Sequence, residues 1–321
     1  MVRPFKRDIN FLSHRRIFFI ISLTLVIVSI AVIPIRGLNF SIDFIGGSSI
    51  SFSDTGDITT DQMRAAFTAA GVDNATIQTT TDTGTSTRGF IVRISSSDAA
   101  ETYAYVDSVV AQLGLIDVTE APTITTVGPG WGAEVTRTSL IAFLVAIALI
   151  ITYMAIRFEY KMSLSAILTL FHDLIIIVGI YALFGREISP NVIAALLTIM
   201  GYSLYDTVVV FHRINDNMTT TQNHSFMTVA NHSINQVIVR TINTTLTSLV
   251  PVTAMLIFGG ETLQSFAFAM SIGLVLGSYS SIALATPIYA LWKQREPKYH
   301  KLYEKFGDGV GTFTAAENLQ E

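Results

Sequence analysis

The stretch "IAALLTIMGYSLYDTVVVF", residues 193–211, decides how this chain is built. It is apolar, and as a helix rising ~1.5 Å per residue it is long enough to cross the hydrocarbon core of a bilayer. Yet it carries a carboxylate, Asp206, within its last turns. A charge inside a membrane helix costs roughly 2.5–3.5 kcal/mol on insertion scales, and such residues usually mark ion or proton paths. Outward from this stretch the chain repeats the same apolar character in six blocks, near 17–35, 138–156, 163–184, 190–211, 238–258 and 264–286. Half of the 321 residues are hydrophobic and only 14% are charged. That composition, in blocks of about 20 residues, reads as a polytopic α-helical membrane protein with six transmembrane helices.

Charge sets the expected orientation. Residues 1–16 carry Arg3, Lys6, Arg7, Arg15 and Arg16, and positive charge flanking a span favours the cytoplasmic side. Six crossings then return residues 287–321 to the cytoplasm, where "WKQREPKYHKLYEKF" (292–306) is again basic. The short loop "RFEYKM" (157–162) falls inside as well. No small-residue cleavage site follows the first block, which argues for a retained span over a removed signal peptide. The absence of cysteine excludes a disulfide framework and a thiolate metal site.

Residues 36–137, between the first two spans, are less apolar and are placed outside by this topology. Strand character in "SSISFS" (48–53) is followed by "TTDQMRAAFTAAG" (59–71), a helix with a Thr cap and a terminal Gly. Next come "ATIQTT" and "GFIVRIS", two strands around the turn "TDTGTSTRG", then a helix over 98–114 and a last strand in "IDVTEAPTITTV". The order β-α-β-β-α-β predicts an α+β ferredoxin-like extracytoplasmic domain. Residues 138–286 form the bundle of spans two to six. The polar stretch 212–237 has Phe226, Val229, Ala230 and Ile234 at helical spacing, which predicts a helix on the inner membrane surface. The tail after Lys305 reads as disordered.

Asp206 answers to a second intramembrane charge. Arg240 opens the fifth span, and counted inward from the shared membrane face the two lie within roughly 5 Å of depth, so an ion pair is geometrically allowed. Span five carries Arg240, Asn243, Thr244, Thr247 and Ser248 on one helical face, and span four carries Thr198, Gly201, Tyr202, Tyr205 and Asp206. Span three adds Asp173, with His172 beside it but about 100° away round the helix. Three readings stand side by side: a proton relay through Asp206, Arg240, Asp173, His172, Thr244 and Thr247, a static Asp206–Arg240 pair that pins two helices, or an unpaired pore-lining group. His172 reads more readily as a packed or hydrogen-bonded residue than as a relay. Gly273 and Gly277, four apart in span six with Ser281 and Ala285 continuing the row, let backbones approach closely. Phe44, Gly46 and Gly47 in "FIGG" follow span one, where paired glycines permit an unusual backbone.

These stretches resemble the SecF family of the bacterial Sec protein-export machinery. "SIDFIGG" (41–47) is similar to its glycine motif, and "AIRFEYK" (155–161) to its second-span exit. "FHDLIIIVGIYALFG" (171–185) resembles its third span. "IAALLTIMGYSLYDTVVVFHRIND" (193–216) resembles its fourth, and "SINQVIVRTINTTLTSLVP" (233–251) its fifth. Three positions depart from the family pattern: Tyr205 stands where Asn is usual, His212 where Asp is usual, and Ser41 where Gly is usual. The resemblance implies half of a pseudosymmetric twelve-span assembly similar to the RND superfamily, in the bacterial cytoplasmic (inner) membrane. It implies SecD, the SecYEG translocon and a preprotein client as partners, besides the lipid bilayer. Protons would be the coupling ion, with no other cofactor, and the activity would be late-stage protein export driven by the proton motive force. Two alternatives remain: a half-transporter of an RND-type small-molecule or lipid exporter, and a non-transporting scaffold of the translocon. No nucleophile–base constellation, phosphate loop or metal-ligand spacing points to an enzyme. Nucleic acid is not an expected partner, because the basic residues hug the membrane ends.

Overall fold

The computed structural model describes residues 8–53, 55–81, 88–115, 121–220 and 224–307. Six helices are long and apolar enough to cross a membrane: Leu12–Arg36, Pro129–Arg157, Tyr160–Phe184, Pro190–Thr219, Phe226–Phe258 and Leu263–Gln294. Each contains one of the six apolar blocks, and most run beyond it. The protein is a multi-pass membrane protein, predominantly helical.

In chain order the elements are α1 (Arg15–Arg36), β1 (Asn39–Phe40), the single turn α2 (Ile42–Ile45), β2 (Gly47–Phe52), α3 (Thr60–Ala69) and β3 (Thr76–Thr81). They continue with β4 (Arg88–Ile94), α4 (Ala99–Leu113), β5 (Thr123–Val127), α5 (Pro129–Arg157), α6 (Tyr160–Phe184) and β6 (Glu187–Ile188). The chain then makes α7 (Pro190–Thr220), α8 (Phe226–Phe258), α9 (Glu261–Ser280), a π-helical turn (Ser281–Ala285), α10 (Thr286–Gln294) and α11 (Pro297–Phe306). Two compact units result: Asn39–Ala142 with Glu187–Pro190, and Met1–Leu38, Phe143–Arg186 and Asn191–Glu321.

The first unit holds a four-stranded antiparallel sheet in the order β3-β4-β2-β5. Local chemistry sets its helix boundaries. Thr59 caps α3 through a reciprocal capping box with Gln62, satisfying two otherwise unpaired amide groups. Asp98 caps α4, and Gly114 ends it in the left-handed region at φ 68°. Ile50, Phe52, Phe90, Val92 and Ile94 alternate along β2 and β4 onto one face, where Met63, Phe67, Val106 and Val109 of the two helices meet them. The other face of β4 is buried too. There Arg93 donates to Glu187 at 2.5 Å, to Asn39 at 3.0 Å and to Gln78 at 2.9 Å, so its charge is paired and its donors are satisfied. Entry to β2 depends on Gly46 at φ 75° and Gly47 at φ 112°. A Cβ on Gly47 would sit 2.4 Å from the Ile94 carbonyl oxygen.

The helical unit is packed through small residues. A Cβ on Gly179 of α6 would lie 2.2 Å from the Ser29 Cβ on α1, and one on Gly277 of α9 3.0 Å from the Ser203 Cβ on α7. A Cβ on Gly273 would meet the Ile199 side chain at 2.4 Å. Residues 212–237 differ from the sequence expectation. Of these, 212–220 lengthen α7 and 226–237 lengthen α8, and the described residues form no separate surface helix. Phe226, Val229, Ala230 and Ile234 are buried, and the Phe226 ring packs edge-on to Tyr289. The helical spacing of these apolar residues suits a protein core as well as a lipid surface. The polar residues between them decided the outcome, because they find partners in the segment before α1. Asn231 and Asn235 hydrogen-bond the backbone of Ile9 and Leu12, and His232 contacts Asp8 at 2.6 Å. The sixth span likewise runs past the expected end at 286, through the π turn, to Gln294. Most of the tail expected to be disordered lies outside the described residues.

Candidate functional site

Asp206 sits on α7 with 9% of its surface exposed. Its hydrogen-bond partner among the described residues is Ser278 of α9, whose hydroxyl lies 3.4 Å from Oδ2. Ser278 is also bonded to the Thr245 hydroxyl of α8, so three helices meet at this carboxylate. Beside it lies a cavity of about 10 Å³, lined by Tyr202, Asp206, Thr244, Thr245, Ser248 and Ser278 among others, about the room one water needs.

Arg240 lies one helical turn before Thr244 on α8 and does not pair with Asp206. Its guanidinium donates to the Tyr205 hydroxyl at 2.5 Å and lies 5.7 Å from the centroid of that ring. The depth offset between the two charges leaves the phenol, on the residue preceding Asp206, within easier reach. Arg240, Tyr205 and Thr247 are exposed on this chain. Thr247 returns its hydroxyl to its own helix, to the carbonyls of Asn243 and Thr244. Thr244 does the same to Arg240 while still lining the cavity.

Asp173 forms a second, drier centre. It is 0% exposed, and its Oδ2 accepts from Ser203 of α7 at 2.7 Å and Ser280 of α9 at 2.8 Å. His172 Nδ1 lies 2.9 Å from Oδ1. The 100° between neighbours on a helix did not separate these two, because the imidazole is long enough to reach back round the backbone. Among the described residues, His172 Nε2 is buried without a hydrogen-bond partner.

The centres share two helices. Ser203 and Asp206 are one turn apart on α7; Ser278 and Ser280 are two apart on α9. Gly277 permits the close approach that brings Ser203 and α9 together. Directly after these hydroxyls α9 widens into its π turn, a feature often found at functional sites. Ser281 there bonds the Thr207 hydroxyl at 2.8 Å, and Thr286 reaches back to the Ser281 carbonyl. Phe44, Gly46 and Gly47 belong to the other unit and take no part in either centre. Sequence reasoning did not single out Ser203, Thr245, Ser278 and Ser280. For Ser278 and Ser280 the signal was present in the hydroxyl-rich "GSYSS" (277–281), where Gly277 and Ser281 alone entered the reading, as small packing residues.

Comparison with known proteins gives the family. The model for the C-terminal region of the SecD/SecF protein-export membrane proteins matches residues 109–295, and the SecD/SecF GG motif matches residues 31–53. The chain belongs to the SecD/SecF family. It is 35% identical to the protein translocase subunit SecF of Desulfurispirillum indicum, over 89% of this chain and 94% of that one. It is 34% identical to SecF of Petrotoga mobilis, over 92% and 99%. Against SecDF of Bacillus subtilis it is 35% identical over 92% of its own length but only 39% of the relative's. The crystal structure of SecDF from Thermus thermophilus, a translocon-associated membrane protein, superposes with a TM-score of 0.80 at 32% identity, covering 90% of this chain and 39% of that one. Chemically, a carboxylate buried in α7, held by one long hydroxyl contact and open to a water-sized space, is an arrangement able to gain and lose a proton.

Proposed function

We propose that this chain is an auxiliary subunit of the Sec preprotein translocase that uses the proton motive force, together with a SecD partner, to promote the late stage of protein export. Family membership, and SecF relatives matched over nearly their whole length, support the role in export. The observation that carries the coupling is Asp206. It is buried on a membrane-length helix with Ser278 as its hydrogen-bond partner and a water-sized space beside it. Protons are the coupling ion in this reading. Asp206 takes them up and releases them, and Thr244, Thr247 and Arg240 line the approach. Asp173 and His172 extend the relay inward through Ser203 and Ser280. Moving one charge through 100 mV yields about 2.3 kcal/mol, sufficient to bias a two-state motion.

Support for a partner comes from an exposed polar face. Arg240, Asn243, Thr247 and Tyr205 are exposed on this chain, yet they lie on helices of membrane-crossing length. Lipid is a poor neighbour for them, since an arginine facing hydrocarbon costs roughly 2.5–3.5 kcal/mol. A SecD-type half covers this face in the proposed assembly, next to SecYEG and the emerging preprotein. The relatives matched over nearly their whole length are named as protein translocase subunits.

Orientation follows charge: both termini lie in the cytoplasm of a bacterial cell, and residues 36–137 lie outside its inner membrane. The β2-α3-β3-β4-α4-β5 order and antiparallel sheet support a ferredoxin-like assignment for that external part. Residues 138–286 then act as the bundle and 287–321 as the cytoplasmic end.

The test is proton conductance and preprotein export by the two-subunit complex in vesicles, with Asp206 intact and as Asp206→Asn. The substitution keeps shape but cannot ionise, so loss of conductance together with loss of potential-dependent export is expected. Unchanged conductance and export would leave a passive scaffold.

A further inference from the structure

We infer that α11 is an anchor for anionic lipid, built from a lysine row beside an aromatic face. Arg295 and Glu296 separate it from the end of the sixth membrane-length helix at Gln294, and Glu296 bonds Lys161 at the start of α6, which sets the start of α11 level with that end of a membrane-length helix. The helix is pinned at its first turn. Glu296, its N-cap residue, accepts from Lys161 at 2.8 Å and pairs with Lys293 at 3.1 Å. Tyr299 packs on Phe226 of α8 with ring centroids 5.1 Å apart.

At ~100° per residue, Tyr299, Leu302, Tyr303 and Phe306 fall within an arc of about 100°, and Lys298, Lys301 and Lys305 within about 60° along its flank. The four apolar residues are half-buried and the three lysines are exposed. None of these lysines forms an ion pair among the described residues, whereas the opposite flank pairs His300 with Glu304 at 3.4 Å. Lys298 and Lys305 lie over the rings of Tyr299 and Phe306, at 5.4 and 5.1 Å. Amphipathic rings with ammonium groups above them suit the boundary between acyl chains and headgroups. The row complements a negatively charged headgroup layer, and each lysine removed near such a surface weakens the attraction about fivefold.

The chain has no cysteine, so a single Leu302→Cys carries an environment-sensitive fluorophore in the full-length protein. The labelled protein is reconstituted in vesicles of phosphatidylcholine alone or mixed with phosphatidylglycerol. Phosphatidylglycerol is expected to shift emission to the blue, and added salt to reverse the shift by screening. Single Lys298→Gln, Lys301→Gln and Lys305→Gln each lower the ratio of docked to undocked helix about fivefold, while Lys→Arg at the same positions retains it. Equal emission in both vesicles overturns the inference. So does a shift that appears in neutral vesicles only when translocon is added, because the occupant is then an acidic protein surface.

Discussion

Arg240 and Tyr205 are bonded to each other, guanidinium to phenol oxygen, at 2.5 Å. That contact keeps the arginine off the carboxylate of the next residue in the chain, and so leaves Asp206 to a single hydroxyl. Removing the phenol oxygen in Tyr205→Phe frees the guanidinium to reach the carboxylate and form a standing ion pair. A hydrogen bond to a charged group is worth ~1.5 kcal/mol or more, so proton conductance is expected to fall about tenfold, short of the complete loss in Asp206→Asn. Conductance equal to wild type in Tyr205→Phe would show that the phenol does not govern access.

Two glycines on membrane-length helices separate packing from mere exposure. Gly179→Ala places a Cβ 2.2 Å from the Ser29 Cβ and 2.6 Å from its Cα, which α6 and α1 can relieve only by moving apart. About 1–3 kcal/mol of destabilisation is expected. Gly201→Ala meets nothing within 4 Å and improves helix propensity by up to about 1 kcal/mol. Thermal unfolding of the two variants in detergent, compared with wild type, should therefore move in opposite directions.

In the sheet unit, Phe67 is 0% exposed and meets Phe52 edge-on with centroids 6.1 Å apart. Truncation in Phe67→Ala leaves a cavity between α3 and β2 and is expected to cost about 3–5 kcal/mol. Protease susceptibility of residues 39–142 in the full-length protein reads this out. Cleavage there should rise by orders of magnitude while the helical unit stays resistant.

A pH-dependent contact lies on the surface of α4. Hydrogen bonds to the Glu101 carboxylate from Ser96, and then from Tyr105, hold its pKa below the usual 4.5. The same bond to Glu101 raises that of Tyr105 above 10.0. A lowered acid adds stability above its unfolded pKa and loses it as pH falls through the lowered value. A raised phenol adds stability below 10.0 and loses it as pH climbs through the raised value. The melting-temperature gap between wild type and Glu101→Gln should thus be flat across neutral pH and close at both the acid and alkaline ends. A gap independent of pH would exclude the pair as its source.

Topology is tested by labelling. Asn74, in the turn before β3, and Asn215, in the last turns of α7, are both exposed. In a chain without cysteine, Asn74→Cys and Asn215→Cys should react with an impermeant thiol reagent from opposite sides of the membrane. Reaction of both from one side would overturn the proposed orientation.

The sequence by itself determined the number of membrane-length helices, because apolar runs of bilayer length depend on composition alone. It also determined the order β2-α3-β3-β4-α4-β5 between the first two spans, though not the short β1 and α2 before it, because caps and alternation are local signals: Thr59 with Gln62, Asp98 and Gly114 mark their own boundaries. The importance of Asp206 was legible for the same reason, as an ionisable group in such a run needs an account. What surrounds that carboxylate was decided only by tertiary structure. Ser278, Ser280 and Ser203 become its neighbours, or those of Asp173, through the close approach of α7 and α9 at Gly277, and no spacing within one helix encodes which helix will face it. The same holds for Arg240, whose partner was settled by a tyrosine ring that reached it first, and for residues 212–237, whose helical spacing fitted a surface or a core equally until Ile9 and Leu12 supplied the hydrogen-bond partners.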